Sequence, residues 1–317
     1  MQAKGMKSIT RIGFEDTYGV APTEAAKVFR IPFNSNSLKA TQSLGTPETI
    51  TGYRNPVEPY DGQKDVSGNI VVPLDARNFG LMLKGLFGAP TTSVVEDAGK
   101  SQHVFKVSDE QPSMTIEKEF SDIKKIEQFT GCKISKMEID AEVGNNETTV
   151  QLEFMGKDGE PAKTSVNANA AMFDITRFNN ANATVKMDGQ AVATARKMTI
   201  SFDAGLDGDT FCLNGTPSRT ALSEGIIGVT GTVTLLFQDM DAMQKAIDGV
   251  YSSLELVFAN KSGDSLSFLM PKTKFEKTSP EISGPKGITL DMNYHAFSVN
   301  AADSAITATL INDVAAY

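Results

Sequence analysis

The sequence of 317 residues predicts a mainly β protein made of two tandem units, each with a short helix beside its strands. Three observations predict this fold. Apolar and polar residues alternate over much of the chain, which is the two-residue period of a strand. Helical spacing of apolar residues occurs in two short stretches, each directly after a strand-like stretch. These two stretches lie about half a chain length apart, which indicates a repeat.

The first strand-to-helix stretch is VSGNIVVPLDARNFGLMLKGLFG, residues 66–88. One side of the predicted strand carries Ile70, Val72 and Leu74. Asp75 is of a type that caps helix N-termini. After it the apolar residues take helical spacing, at Phe79, Met82, Leu83 and Leu86. Gly85 and Gly88 are candidate C-caps, and Pro90 prevents the helix from continuing.

The second stretch, VTGTVTLLFQDMDAMQKAIDGV, covers residues 229–250 and repeats this design. Its predicted strand carries Val233, Leu235 and Phe237 on one side. After a possible N-cap at Asp239, its helix carries Met243, Ala246, Ile247 and Val250. Gly68 corresponds to Gly231 with a shift of 231 − 68 = 163 residues, and Asp75 corresponds to Asp239 with a shift of 239 − 75 = 164. A shift of this size spans a whole domain and predicts an internal duplication.

The repeat divides the chain into a predicted first β domain at 1–160, a linker at 161–180 and a second β domain at 181–317. The polar stretch KDGEPAKTSVNANA, residues 157–170, contains Gly and Pro and lacks apolar periodicity, which favours a linker there. Each predicted domain is long enough to bury a core of its own.

Composition excludes several classes of function. The net charge of −9 argues against a protein that grips nucleic acid through basic patches. Cys132 and Cys212 lie in different halves, which predicts reduced, partly buried thiols and assembly in a cytoplasm. The N-terminal residues lack the apolar core of a signal peptide, and no apolar run approaches the length of a membrane span.

The stretch KISKMEIDAEVGNNETTVQLEFMG predicts a hairpin with one apolar and one acidic face, turning at Gly144, Asn145 and Asn146. Its acidic face carries Glu138, Asp140, Glu142 and Glu153. A solvated sheet surface is the plain interpretation of this face. The alternative is a channel wall from which a polyanion is repelled. A counterpart hairpin strand is predicted in GITLDMNYHAFSV, with Ile288, Leu290, Met292 and Tyr294 on its core side.

The residues predict no enzyme and no bound cofactor. His103 and His295 both lie in strand-like contexts, where a structural role is the better interpretation. The run DAGLDGD lacks the spacing of a calcium loop, so it predicts a turn and no metal site. The acidic face places carboxylates side by side on one surface, whereas a glycosidase needs two that face each other across a cleft.

Two long segments without clear periodicity, residues 39–65 and 206–228, precede the two strand-to-helix stretches. Loops above about 15 residues are usually functional or disordered. Their occurrence at the same place in both halves favours a function.

Several stretches in order carry a family resemblance: FEDTYGVAPT, FRIPFNSNSL, GYRNP, DVSGNIVVPLD, PSMTIEKEF and TGCKISKMEID. The chain resembles the tail tube proteins (major tail proteins) of siphophages, the bacteriophages with long, non-contractile tails. The resemblance covers most of the first half, and the second half joins through the repeated strand-to-helix unit. It implies two tail-tube-type β-sandwich or barrel units that join edge to edge between subunits. Rings of such units stack into the tube through which the genome is ejected.

The resemblance also implies partners and a location. The protein would contact itself, the tape measure protein, and the terminator and tip proteins at the tube ends, with DNA passing through unbound. It would be assembled in the host cytoplasm, belong to the virion and have no membrane contact. The long loop before the strand-to-helix unit is the usual arm between rings, which predicts contacts to the next ring or subunit from Thr51, Gly52, Tyr53, Arg54, Asn55 and Pro56. The acidic face would line the lumen.

Two copies of the unit in one chain predict a homotrimeric ring with pseudo-sixfold symmetry. The rival is a homohexamer in which the second half decorates the outside of the tube. An alternative function is a β-sandwich adhesion or carbohydrate-binding module of a tail fibre or surface protein. That alternative is disfavoured because such binding faces are rich in aromatic residues, and this chain has no Trp and six Tyr.

Overall fold

The computed structural model describes residues 2–95, 99–144, 147–282, 284–300 and 303–317, and it is mainly β, as predicted. The two α-helices are α1 (Phe79–Phe87) and α2 (Asp241–Asp248), and three single turns of 3₁₀-helix lie at Gly5–Lys7, Ala25–Lys27 and Asn180–Asn182. The strands are β1 (Ser8–Phe14), β2 (Val28–Ile31), β3 (Ser35–Asn36), β4 (Lys39–Gly45), β5 (Tyr60–Pro73), β6 (Thr91–Val95), β7 (Lys100–Lys106), β8 (Met114–Phe120), β9 (Lys125–Glu142), β10 (Thr149–Gly156), β11 (Asp158–Ala162), β12 (Ala183–Met187), β13 (Gln190–Ala191), β14 (Ala195–Asp203), β15 (Leu206–Asp207), β16 (Ser223–Glu224), β17 (Gly228–Leu236), β18 (Ser252–Ala259), β19 (Ser265–Phe275), β20 (Thr289–Ala296) and β21 (Thr307–Asn312).

Seven strands form a central antiparallel sheet in the order β4, β5, β10, β9, β14, β17 and β20. The first four strands come from the first half of the chain, and the last three come from the second half. The halves meet where β9 pairs with β14, from Glu142 opposite Lys197 to Lys136 opposite Asp203. Backbone hydrogen bonding therefore continues across both halves of the chain.

Two flanking sheets are attached to the central sheet through its long strands. The first contains β2, β1, β8, β9 and β11, and the second contains β13, β12, β18, β19, β21, β7 and β6. The N-terminal part of β9 lies in the first flanking sheet and its C-terminal part in the central sheet, and β19 links the second flanking sheet to β20 in the same way. Apolar residues from all three sheets share one buried core, including Ile12, Ile70, Leu152, Leu256 and Met292.

The strand pairings of the two halves correspond. In the first half, β1 pairs with β2 and β8, and the long strand β9 links the flanking sheet to the central sheet. In the second half, β12 pairs with β13 and β18, and β19 makes the link. The corresponding strands are β1 and β12, β2 and β13, β4 and β14, β5 and β17, β8 and β18, β9 and β19, β10 and β20, and β11 and β21. The β6–β7 hairpin follows α1 and pairs with β21 of the second half.

Both predicted helices form, although neither predicted aspartate occupies the N-cap position. The Asp75 Oδ1 accepts hydrogen bonds from the backbone N–H groups of Arg77 and Asn78, at 2.8 and 2.7 Å, and so closes a turn before α1 begins. Asp239 accepts in the same way from the N–H of Asp241. Of the two candidate C-caps of α1, Gly88 ends the helix with a φ of 93°, and Gly85 lies inside it. The second helix, α2, ends at Gly249 with a φ of 67°.

The two helices differ in burial. Eight of the nine residues of α1 are buried, including all four of its predicted apolar stripe. In α2 only Ala246 is buried, and the prediction that Ile247 and Val250 face the core is wrong, since 46% and 51% of them is exposed. The reason lies in what covers each helix. The second half contributes Phe202 and Tyr317 against α1, whereas this side of α2 faces solvent.

The C-terminus of the second half is fixed against the first half by buried hydrogen bonds. The Asn312 Nδ2 donates to the carbonyl oxygen of Ala76 at 2.5 Å, and the Tyr317 hydroxyl donates to that of Arg77 at 2.6 Å. The Tyr317 ring lies over Gly80 of α1, where any Cβ would collide with it. These contacts join the halves at a second place, away from the β9–β14 junction.

The segment between the halves has no strand from 163 to 179 and runs along the first half. There the Ala171 carbonyl oxygen accepts from the Arg30 N–H at 2.9 Å, and Phe173 stacks on Phe29. The polar stretch that favoured a linker begins instead with β11, an edge strand on β9. Apolar alternation fails to reveal β11 because most of its residues are partly or fully exposed. The domain bounds 1–160 and 181–317 stay a prediction.

The predicted acidic hairpin is confirmed as β9 and β10, which pair antiparallel. Its predicted turn residues Asn145 and Asn146 lie outside the described residues. Three of the four residues predicted on the core side of β20 are also confirmed, since Leu290, Met292 and Tyr294 are buried. Ile288 lies before the strand and is only partly buried.

The corresponding glycines Gly68 and Gly231 sit where the backbone of the neighbouring strand comes very close. A Cβ on Gly231 would lie 2.0 Å from the Thr199 carbonyl oxygen, and one on Gly68 would lie 2.6 Å from the Leu38 Cα. We expect Gly231→Ala to lower the free energy of unfolding by about 2 kcal/mol, because backbone must move to admit the methyl group. Urea denaturation measures this change.

Gly228→Ala is the matched control on the same strand, because the nearest atom there is 3.6 Å from the new Cβ. We expect this variant to unfold within about 0.5 kcal/mol of the parent. Equal stability of the two alanine variants would contradict the close-approach explanation.

Candidate functional site

The four predicted acidic residues share one face of the central sheet. Glu138, Asp140 and Glu142 are exposed on β9, where they alternate with buried apolar residues. Glu153 is partly exposed on β10, opposite Lys136. The structure therefore brings these carboxylates together on one surface, and the opposite face of the same strands packs into the core.

Two lysines partly neutralise this acidic face. The Lys197 Nζ lies 2.7 Å from the Asp140 carboxylate and 3.6 Å from that of Glu142, and the hydrogen bond to Asp140 raises the pKa of Lys197. The Lys136 Nζ lies 3.8 Å from the Asp203 carboxylate. Sequence reasoning missed Lys197 because it comes from the second half and reaches the acids only through the β9–β14 pairing. Among the described residues, Glu138 and Glu153 take part in no ion pair.

The same face continues across the second half as a surface of hydroxyl, amide and acidic groups. It includes Thr199, Ser201, Thr230, Thr232, Thr234, Asp291 and Asn293. Hydrogen bonds link neighbouring strands, with the Thr232 hydroxyl donating to Asn293 at 2.8 Å and the Thr234 hydroxyl donating to Asp291 at 2.6 Å. One wall of the molecule, from β10 to β20, is thus polar and carries more acids than bases.

Residues 46–59, which we call the first arm, connect β4 to β5. The predicted contact residues Thr51–Pro56 are all exposed, and Ile50 exposes 97% of its surface. The expectation of an irregular segment over 39–65 is wrong at both ends, because β4 and the start of β5 form a ladder there. Both faces of β4 are largely exposed, so this ladder has no apolar alternation to reveal it.

Residues 208–222, which we call the second arm, fold back against the first half. The buried Arg219 donates to the Gly208 carbonyl oxygen at 2.6 Å and also pairs with Asp65 of β5. The Pro217 carbonyl oxygen accepts from the Lys64 N–H at 2.9 Å. These contacts hold the second arm against β5, close to where the first arm ends. Nothing in the local sequence pattern signals this, since the contacts join residues from different halves.

The remaining candidate residues have local structural contacts. His103 is buried, with its Nε2 2.9 Å from the Val314 carbonyl oxygen, and the exposed His295 lies beside Glu276. In the DAGLDGD run, Asp203 and Asp207 each accept the backbone N–H group two residues on, which confirms the predicted turn. Cys132 is buried, but Cys212 is exposed on the second arm, where partial burial was expected.

The described part of the chain contains no cluster of three or more side chains suited to hold a metal ion. Within the same residues, no helix has the length and apolar character needed to cross a membrane.

The profile of a family described as phage tail tube protein matches residues 5–296, which is most of the chain. No curated protein is similar enough to be matched to it.

Proposed function

This chain belongs to the phage tail tube protein family, and we propose that its copies assemble into stacked rings that form the tail tube of a siphophage. As a member of that family it is a structural protein of the virion. The observation that carries the proposal is the central sheet, which is apolar on its buried face and polar on its exposed face. Among the described residues, β4 at one edge and the first part of β20 at the other have no outer partner strand. Exposed edges pair readily with other chains, and closure into a ring removes them.

We propose three copies per ring, each contributing two sandwich units to a pseudo-sixfold wall. The corresponding strand pairings of the two halves support an internal duplication. The β9–β14 junction within the chain supports the view that one unit can join the next edge to edge. Head-to-tail contacts close when the rotation between units divides the circle evenly.

In this proposal the acidic and hydroxyl-rich face lines the lumen, so that DNA passes without being held. Carboxylates repel phosphates, whereas lysines and arginines would bind them with release of counterions. The first arm reaches the next ring, because an exposed segment of this length gains little burial within its own chain. The tape measure, terminator and tip proteins of the tail would contact the lumen and the ends of the tube.

Negative-stain electron microscopy of the purified protein tests the proposed function. We expect tubes or closed rings. Monomers that bind glycans would contradict the proposal and favour the adhesion module instead.

A further inference from the structure

We propose that β4 of one copy pairs antiparallel with Thr278–Ile282 of a neighbouring copy, so that this segment becomes a strand on assembly. The inference rests on the proposed self-assembly and identifies the residues that would form the junction between copies. Its partner is a second copy of this chain.

The first observation is that the central sheet ends in two incomplete edges. At one end, β4 pairs with β5 and, among the described residues, with no strand on its other side. At the other end, β20 pairs with β19 from Tyr294 to Ala296, and the Asn293 carbonyl oxygen accepts from the Glu276 N–H at 2.9 Å. Among the described residues, Thr289–Met292 of β20 pair with no strand on that side. The segment Thr278–Ile282 follows β19 closely and, within the part of the chain described, belongs to no strand.

The second observation is that one junction of this kind is already formed within the chain, between its two halves. In the first half, β9 continues past its flanking sheet, and its residues Lys136–Glu142 run between β10 and β14. Since β9 corresponds to β19, β10 to β20 and β14 to β4, a continued β19 would run between β20 and the β4 of another copy. The β9–β14 pairing is thus the template for a junction between copies.

The correspondence also gives the register. Ser67 and Thr230 are corresponding residues of the two halves, since they differ by the repeat shift of 230 − 67 = 163. Lys39 lies opposite Ser67, and Ser201 lies opposite Thr230. Lys39 therefore takes the place of Ser201, which is opposite Glu138 in the template.

On the other strand, Phe275 is opposite Tyr294 as Ile134 is opposite Phe154. In the template, the register of β9 against β10 shifts between Glu153 and Phe154, a bulge that leaves Ser135 outside the pairing. With the same bulge after β19, Ser279, four residues beyond Phe275, takes the place of Glu138. The register consequently sets Lys39 of one copy opposite Ser279 of the next.

Exposure and charge agree with this register. From Thr278 to Glu281 exposure alternates as in a strand, with Ser279 and Glu281 exposed and Thr278 and Pro280 partly buried. Ile282, which the alternation would turn to the core side, is exposed in the single chain. Lys39 would be diagonal to Glu281, in the places that Ser201 and Asp140 take in the template, and opposite charges at diagonal positions attract. Pro280 cannot donate to the ladder, so the proposed strand lacks one backbone hydrogen bond at that residue.

The exposed apolar face of α2 would be covered by the same neighbouring copy. Its counterpart α1 is covered by the other half of the chain, through residues such as Phe202. The α2 region leaves four large apolar side chains exposed: Met240, Ile247, Val250 and Tyr251. A neighbouring copy joined at the β20 end would stand in the position that the second half takes beside α1. Covering this patch would add apolar burial to the backbone pairing.

Eight strands per copy, counting Thr278–Ile282, would give a ring of 3 × 8 = 24 strands from three copies. Barrels of about 16–18 strands already enclose an aqueous channel. The proposed junction is therefore consistent with a wide, water-filled lumen.

Disulfide cross-linking tests the junction. Lys39→Cys and Ser279→Cys are made as separate proteins in a Cys212→Ser background, mixed, assembled and oxidised. Opposite residues in an antiparallel pair have Cα atoms close enough for a disulfide. We expect a cross-linked dimer of the two variants on a non-reducing gel, and the variant carrying both substitutions should give a covalent trimer.

Two matched pairs of cysteine variants serve as the positive and the negative control. Ser201→Cys with Glu138→Cys places the same pair in the template and should cross-link within one chain. Ala40→Cys mixed with Ser279→Cys puts the thiols on opposite faces of the sheet and should not cross-link. Tubes that form without the Lys39–Ser279 cross-link, while the template control links, would overturn the proposed junction.

Hydrogen exchange on the unmodified protein provides a measurement that needs no substitution. The amides of Thr278, Ser279, Glu281 and Ile282 should exchange at least about tenfold more slowly in tubes than in free subunits. Unchanged exchange in well-formed tubes would overturn the junction. If the unmodified protein forms no tubes, that result contradicts the proposed function and therefore also the proposed junction.

Discussion

Replacing the first arm with a two-residue Asn-Gly turn is expected to leave a folded subunit that no longer forms tubes. Gly45 and Tyr60 lie opposite each other at the ends of β4 and β5, and Asn-Gly suits a two-residue hairpin loop between them. The removed residues 46–59 contain no buried residue, so the core is unaffected. Circular dichroism and thermal unfolding should match the parent, while electron microscopy should show no tubes.

A second variant separates the chemistry of the first arm from its length. It replaces residues 46–59 with the same number of Gly and Ser residues, which removes the exposed Ile50 and Tyr53. We expect it to fail in assembly as well, because a flexible arm without apolar side chains gains too little burial to offset its ordering. Normal tubes from the Asn-Gly variant would show that the first arm does not connect rings.

Replacing Glu138, Asp140, Glu142 and Glu153 together with lysine is expected to slow DNA ejection strongly at low salt. The new ammonium groups would bind phosphates of the passing genome. Four phosphate contacts weaken on the order of 100-fold as salt rises fourfold, so the defect should ease with salt. Ejection rates of virions carrying the variant, measured at two salt concentrations, give the result.

The structure adds a control for this experiment. Lys197 pairs with Asp140 and Glu142, so lysines at those two positions would also repel it. A variant with Gln or Asn at the four positions removes the negative charge without adding positive charge, and it should eject DNA nearly normally. Lysines at four exposed acids outside β9 and β10, namely Glu24, Asp109, Glu110 and Asp174, control for net charge. An unchanged low-salt rate in the lysine variant of the acidic face would place that face outside the lumen.

The sequence predicts those parts of the fold in which one face of an element is buried. The β9–β10 hairpin, β20 and the fully covered helix α1 follow apolar periodicity closely, because their burial comes from the core. The exposed apolar residues Ile247 and Val250 mark the limit of this reasoning. Periodicity shows that a face is apolar, but it does not show whether the same chain covers it.

The parts that sequence reasoning missed depend on pairings between distant residues. The strands β4 and β11 are largely exposed, so no apolar pattern indicates them. The ion pair of Lys197 with Asp140 forms only because β14 of the second half pairs with β9 of the first. Arg219 reaches Asp65 for a similar reason, since the second arm folds back across the chain. Local propensity contains no information about such partners.

The mass of an isolated ring tests the proposed duplicated tail tube subunit most directly. Each chain has a mass of 34.0 kDa, so a ring of three copies weighs 3 × 34.0 = 102 kDa and a ring of six weighs 6 × 34.0 = 204 kDa. Native mass spectrometry of rings released from tubes separates these values. We expect 102 kDa, with threefold symmetry in averaged cross-sections of the tube. A mass of 204 kDa, with true sixfold symmetry and extra density outside the wall, would contradict the proposed trimer.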